Sequence, residues 1–174
     1  YYKANNISVS DGTMKIKAQT EKVGSYNWTS GRIKSAGKVN IGYGYVEARI
    51  KIPSSRGIWP AFWMLGVDQK GWPWCGEIDI LEAWNTISFA QGAFHWNAGV
   101  GDDSPYDNKY VSGQLNASYS RYNWYDKTQW HIYAVEWDNE YIHYFVDDVE
   151  FYKVNISTAD KKDEGMKSYY FLLN

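Results

Sequence analysis

The stretch GEIDILE, residues 76–82, sets Glu77, Asp79 and Glu82 among Ile78, Ile80 and Leu81. Such a run reads as a buried strand, and a buried carboxylate is costly unless it is paired or put to use. Glu77 and Asp79, two residues apart, share one face of a strand. The next interval is three, so strict alternation would send Glu82 to the other face. One extra residue absorbed between Asp79 and Glu82 brings it back. A β-bulge does this, and bulges recur beside active sites. The spacing therefore predicts a bulge at Ile80–Leu81.

With that bulge, roughly 13 Å of strand separates the Cα atoms of Glu77 and Glu82, at about 3.3 Å per step. Side chains leaning inward on a concave sheet close the gap to about 5–6 Å. Retaining glycosidases work at that separation, with one carboxylate as nucleophile and the other as acid/base. The inverting separation, roughly 6.5–9.5 Å, fits less well. Asp79 between them would tune both neighbours. Three acids so close cannot all ionise cheaply, and a raised pKa suits a general acid. Two other readings stay open on spacing alone. Carboxylate clusters bind Ca²⁺, usually from a loop that adds carbonyl ligands. A solvated strand face can also carry acids balanced by lysines, although GEIDILEAW holds no cation.

The elements around this strand are mostly further strands. ISVSDGTMKIKA has the two arms of a hairpin around Asp11-Gly12. YVEARIKI alternates, with Val46, Ala48, Ile50 and Ile52 on one side and Tyr45, Glu47, Arg49 and Lys51 on the other. WPAFWML follows the turn SSRG, and puts Trp59, Ala61, Trp63 and Leu65 on a common face. WHIYAVEW and YIHYFVDDVEFY read as a hairpin across Asp138-Asn139, residues 98–126 as long loops, and STADKKDEG as a short helical turn. Many short strands divided by turn residues predict an antiparallel sandwich. YYFLLN, at residues 169–174, reads as a strand cut in mid-course, so that either a strand is missing or its partner lies elsewhere.

Composition narrows the partners. The chain has 174 residues and a net charge of −2. Its Lys and Arg are scattered, which excludes the basic face a nucleic acid would need. No apolar run reaches membrane-span length, and the first residues show no signal-peptide pattern. Aromatic residues make up 18% of the chain, with 10 Trp and 16 Tyr. These side chains stack on flat apolar faces and keep a polar edge, as sugar recognition requires, although a sandwich core absorbs many of them too. Cys75, the single cysteine, reads as a small buried hydrophobe.

GEIDILE, preceded by WPWC and by GIWPAFWML, resembles glycoside hydrolase family 16, and within it the laminarinase-like endo-β-1,3-glucanases. TSGRIKS (29–35), YGYVEARIKIP (43–53), GAFHW (92–96) and HIYAVEWD (131–138) match in the same order and carry the resemblance over nearly the whole chain. It implies one catalytic domain over residues 1–174, an all-β antiparallel sandwich of jelly-roll, concanavalin A-like form with a concave substrate cleft. It implies a retaining double displacement on internal β-1,3 linkages, with Glu77 as nucleophile, Glu82 as acid/base and Asp79 assisting. Bulged members are laminarinase-like, whereas a bulge-free strand goes with lichenases. Other bulged relatives cut agarose and carrageenan, and transglycosylases and non-catalytic glucan-binding modules share the sandwich.

By the same resemblance, Trp59 and Trp63 are expected to stack on glucose rings and Trp74 to wall the cleft. Glu47 and Arg49 match cleft positions, His95 lines the cleft close to the acids, and Asn174 matches a cleft residue. His131 and His143 are left as strand residues. No cofactor and no metal at the site are expected. A structural Ca²⁺ on the convex face occurs in many relatives, with no ligands assignable in this chain. The expected partner is a β-glucan, met outside the cell by a secreted protein. Relatives carry further strands at both ends, so the rest of the sandwich is expected from a second polypeptide segment, a permuted neighbour, or residues outside this stretch.

Overall fold

The computed structural model describes residues 1–68, 70–85, 88–99 and 105–174. Alternating sequence becomes strand throughout. The chain opens with two hairpins, β1 (Ile7–Ser10) with β2 (Thr13–Ile16) and β3 (Gln19–Val23) with β4 (Tyr26–Thr29). Asp11 and Gly12 both take positive φ, as the tight turn between β1 and β2 requires. Then follow β5 (Ile33–Lys34), β6 (Gly44–Lys51), β7 (Ala61–Gly66), β8 (Glu77–Glu82), β9 (Phe89–Asn97) and β10 (Asn108–Asn116). The last third holds β11 (Trp130–Trp137), β12 (Tyr141–Val146), β13 (Val149–Asn155), the single-turn helix α1 (Lys162–Gly165) and β14 (Tyr169–Leu173).

Two sheets carry the architecture, a six-stranded one in the order β10-β9-β8-β7-β14-β5 and a four-stranded one in the order β13-β12-β11-β6. Every neighbour in both is antiparallel. The expected antiparallel jelly-roll sandwich is present. Its core lies between the sheets, with Met64, Ile78 and Phe94 from one side packed against Tyr133, Val135, Ile142 and Tyr144 from the other. One tie crosses the core: the Tyr144 hydroxyl on β12 donates to the Ala93 carbonyl on β9 at 2.7 Å. Burying these side chains away from water stabilises the pairing of the sheets.

Three sequence expectations change. Residues 98–126 are not all loop, since β10 runs nine residues there; residues 100–104 lie outside the described residues. YIHYFVDDVEFY is two strands, because Asp147 and Asp148 both take positive φ and turn β12 back into β13. Short acidic side chains tolerate that conformation better than most residues. YYFLLN finds its partners within the chain, as β14 sits between β7 and β5. Asn174 extends that ladder, exchanging backbone hydrogen bonds with Ala61 at 2.9 and 3.1 Å.

Candidate active site

The bulge forms where the spacing puts it. Against β7, Phe62 faces Leu81 and Trp63 faces Asp79, which leaves Ile80 without a partner. Against β9, Asp79 faces Ala93 and Glu82 faces Gln91, so Ile80 and Leu81 together oppose Gly92. The physical result is two consecutive core residues: Ile80 and Leu81 are each 1% exposed, and both belong to the central cluster with Ile78. Glu82 is thereby returned to the outer face of the sheet. Glu77 and Glu82 line one cavity of about 500 Å³ there.

The neighbouring strands complete the cavity. On β9, Gln91 and His95 take the same face as the acids. His95 Nε2 stands 3.4 Å from Asp79 Oδ2 and 3.9 Å from Glu77 Oε1. Its ring stacks on Tyr110 of β10, centroids 5.1 Å apart, and meets Trp72 at 6.1 Å. At the other end, Trp59 Nε1 donates to Glu82 Oε1 at 2.8 Å, and Trp84 packs beside Trp59 at 5.7 Å between ring centres.

Electrostatics separates the three acids. Burial pushes Glu77 up to about 8, and the charge of Asp79 adds to it. Burial raises Asp79 well above its ordinary value, with Glu82 adding to it, and raises Glu82 too, against the hydrogen bond from Trp59. Asp79 is the most enclosed, at 2% exposed, and its Oδ2 has no hydrogen-bond partner. Ionising it is therefore the costliest of the three. Of Glu77 and Asp79, Glu77 is the one that opens on the cavity. The donor atoms of Glu77, Asp79 and His95 lie within 4.8 Å of one another, a spacing that a divalent cation could also use.

The family model for glycosyl hydrolases family 16 matches residues 1–169. The chain belongs to this family. The clotting factor G alpha subunit of Tachypleus tridentatus is 30% identical over 99% of this chain and 24% of its own length. The glucan endo-1,3-beta-glucosidase A1 of Niallia circulans is 32% identical over 97% of this chain and 26% of its own length. The chain thus spans about a quarter of each of these curated relatives. Among solved structures, the laminarinase catalytic domain of Thermotoga maritima MSB8 superposes with a TM-score of 0.82 at 30% identity, over 100% of this chain and 70% of that one.

For this family 16 chain the remaining sequence expectations divide. Trp59 sits in the cavity as expected. Trp63 shares the outer face, but its ring carries the Arg32 guanidinium at 5.3 Å and its Nε1 donates to Asn174 Oδ1 at 3.0 Å. Asn174 in turn donates from Nδ2 to the Trp59 carbonyl at 3.3 Å, and so braces the cavity wall. Trp74 stands one ring further out, edge-on to Tyr106 at 5.7 Å, while Trp72 is the indole beside His95. Glu47 and Arg49 are corrected. They lie on β6, in the four-stranded sheet, whose Val46, Ala48 and Ile50 face the core. Their side chains therefore point away from the cavity, across the thickness of the sandwich, and Arg49 packs over Trp130 at 4.6 Å instead. His131 and His143 pair with Asp147 and Glu150, away from the cavity.

Sequence reading missed Gln91, Tyr110, Trp84 and Asn85, all of which line the cavity. Gln91 was within reach, because two-residue periodicity from His95 places both on one face. Tyr110 pairs with His95 across β9 and β10, and was hidden once its strand was taken for loop.

Proposed function

We propose that this chain is the catalytic unit of a retaining endo-glycosidase that hydrolyses internal β-1,3 linkages of β-glucan. The carrying observation is the bulge that returns Glu82 to the face of Glu77 with Asp79 enclosed between them. In the first displacement the Glu77 carboxylate attacks the anomeric carbon while Glu82 protonates the departing glycosidic oxygen. In the second, Glu82 takes a proton from water, which attacks the same carbon and releases Glu77. Asp79, protonated, hydrogen-bonds Glu77 and steadies its negative charge. Trp59 and Trp84 offer ring faces to the glucan beside Glu82, and Tyr110 and Trp72 do so beside His95.

The β-1,3 preference is supported by the bulged form of the strand and by the names of relatives, a glucan endo-1,3-beta-glucosidase and a laminarinase among them. A polymer of this size meets the protein outside the cell, so we take the site of action as extracellular. The test is incubation with laminarin, lichenan, agarose and κ-carrageenan, with products resolved by size and the anomer followed by proton NMR. Laminarin should be cut internally with the β-anomer formed first. Glu77→Ala should abolish turnover and spare laminarin binding. Binding of laminarin without any cleavage by the unaltered chain would instead make it a glucan-binding module, as the name of the 29% identical Beta-1,3-glucan-binding protein of Penaeus monodon says of that relative.

A further inference from the structure

Trp59 reaches Glu82 from outside any strand. β7 begins at Ala61, so the indole is carried by the connection from β6, and something must hold that connection in place. The structure shows what does. Asn85, three residues beyond Glu82, has a φ of 56°, a left-handed conformation that asparagine tolerates better than most residues. In that conformation it makes three contacts at once. Its backbone N–H donates to the Ile58 carbonyl at 2.9 Å. Its side-chain Oδ1 accepts from the Gly57 N–H at 3.2 Å. Its own carbonyl accepts from Lys127 Nζ at 3.2 Å.

Lys127 is the less expected member. It lies in the loop leading into β11, is only 6% exposed, and no carboxylate pairs with it among the described residues. A buried ammonium is costly unless it is used, and Lys127 spends its hydrogen bond on the Asn85 carbonyl. The Lys127 carbonyl also accepts from Ile52 N–H at 3.0 Å, which fixes this loop to the end of β6. The chain of contacts therefore runs from the second sheet, through Lys127 and Asn85, to Gly57 and Ile58, and by one covalent step to Trp59.

We propose that Asn85 and Lys127 are positioning residues, which clip the Gly57–Trp59 segment to the second sheet and so hold the Trp59 indole N–H on the Glu82 carboxylate. The proposal rests on Glu82 being the acid/base. A donor fixed on Glu82 favours its charged form, and opposes the burial that raises it. The clip thus sets how readily Glu82 gives up its proton to the departing oxygen and takes it back. Lys127 stands outside the cavity, and Asn85, which lines it, has its effect on Glu82 through its hold on the Gly57–Trp59 segment. They act through Trp59.

The test follows the Glu82 carboxyl directly, by ¹³C NMR titration with labelled glutamate, and in parallel measures the pH dependence of kcat on laminarin. Trp59→Phe deletes the donor and should move the Glu82 titration up by about one pH unit, the equivalent of a charge-assisted hydrogen bond at its weaker end. Asn85→Gly keeps the left-handed backbone and deletes the side chain with its Oδ1, and Lys127→Met deletes the ammonium. Each should shift Glu82 in the same direction by a fraction of that, and carry the alkaline limb of kcat with it. Asn85→Asp keeps an acceptor for Gly57 but adds a carboxylate to the cavity that Glu82 lines, so it should hold the melting temperature of the unaltered chain while its added charge moves Glu82 up.

A purely structural role would lower the melting temperature of Asn85→Gly without moving Glu82, and that result overturns the proposal. An unmoved Glu82 in Trp59→Phe overturns it as well. Should Lys127→Met not fold, Asn85→Gly and Trp59→Phe decide the matter between them. If no glucan is cleaved by any form, the functional reading fails, yet the NMR titration still reports whether the clip tunes Glu82.

Discussion

Glu77 is held at about 8 by burial and by Asp79 beside it, so the folded chain binds that proton more tightly than the unfolded chain does. At pH values below the ordinary 4.5 both states are protonated and the group costs nothing. Between there and about 8 the unfolded chain ionises freely while the folded one resists, so stability is lost across that window as pH rises. Glu77→Gln removes the conflict. Its gain over the unaltered chain should be near zero at pH 4, and should grow to the order of 5 kcal/mol above pH 8, read by denaturant melts at each pH. In the same variant laminarin turnover should fall roughly 10³-fold or more if Glu77 is the proposed nucleophile. A higher melting temperature with lower activity marks a residue kept for chemistry and not for the fold.

At the level of the element, the bulge is what lets a strand of this length keep Glu82 on the outer face. Both ladders beside β8 are one residue out of step only between Asp79 and Glu82. Deleting Ile80 alone would close both: Leu81 would face Phe62 on one side and Gly92 on the other, with the three acids still on the outer face. That variant should lose about 3 kcal/mol from the vacated core and keep measurable turnover. Deleting Ile80 and Leu81 together would turn Glu82 into the core, and should abolish turnover and fold poorly. Reducing-sugar assays and thermal melts on the two deletions separate these outcomes. Loss of all activity in the single deletion, with its fold intact, would show that the bulge sets the spacing of the carboxylates as well as their side of the sheet.

Across the whole molecule, the site depends on how closely the second sheet supports β9 and β10 from behind. Gly92 and Gly113 are partners in that ladder. A Cβ at Gly92 would come within 2.4 Å of the Tyr144 ring, and one at Gly113 within 2.2 Å of Tyr152. These glycines let two tyrosines of the four-stranded sheet press against the backbone beneath the acids. Gly92→Ala and Gly113→Ala should each cost about 1–3 kcal/mol through overpacking, measured by chemical denaturation. Gly92→Ala should also lower kcat, because Gly92 sits opposite the bulge. Tyr144→Phe, which leaves the Ala93 carbonyl without its buried donor, should cost about 1–2 kcal/mol.

Local interactions along the chain determined much of this protein. Period-two alternation marked β6 and β7, and an interval of three after Asp79 located the bulge, because side-chain direction in a strand depends only on near neighbours. The flanking motifs identified the family. β10 escaped because its polar, glycine-containing run lacks strong alternation, and gains its order from pairing with β9 and from Tyr152 beneath it. Only the tertiary structure decided which sheet β6 joins, and so on which side of the sandwich Glu47 and Arg49 stand. Alternation says which residues share a face but not what that face meets. The same holds for Lys127 and Asn85, separated by 42 residues and joined by a contact that no spacing along the chain encodes.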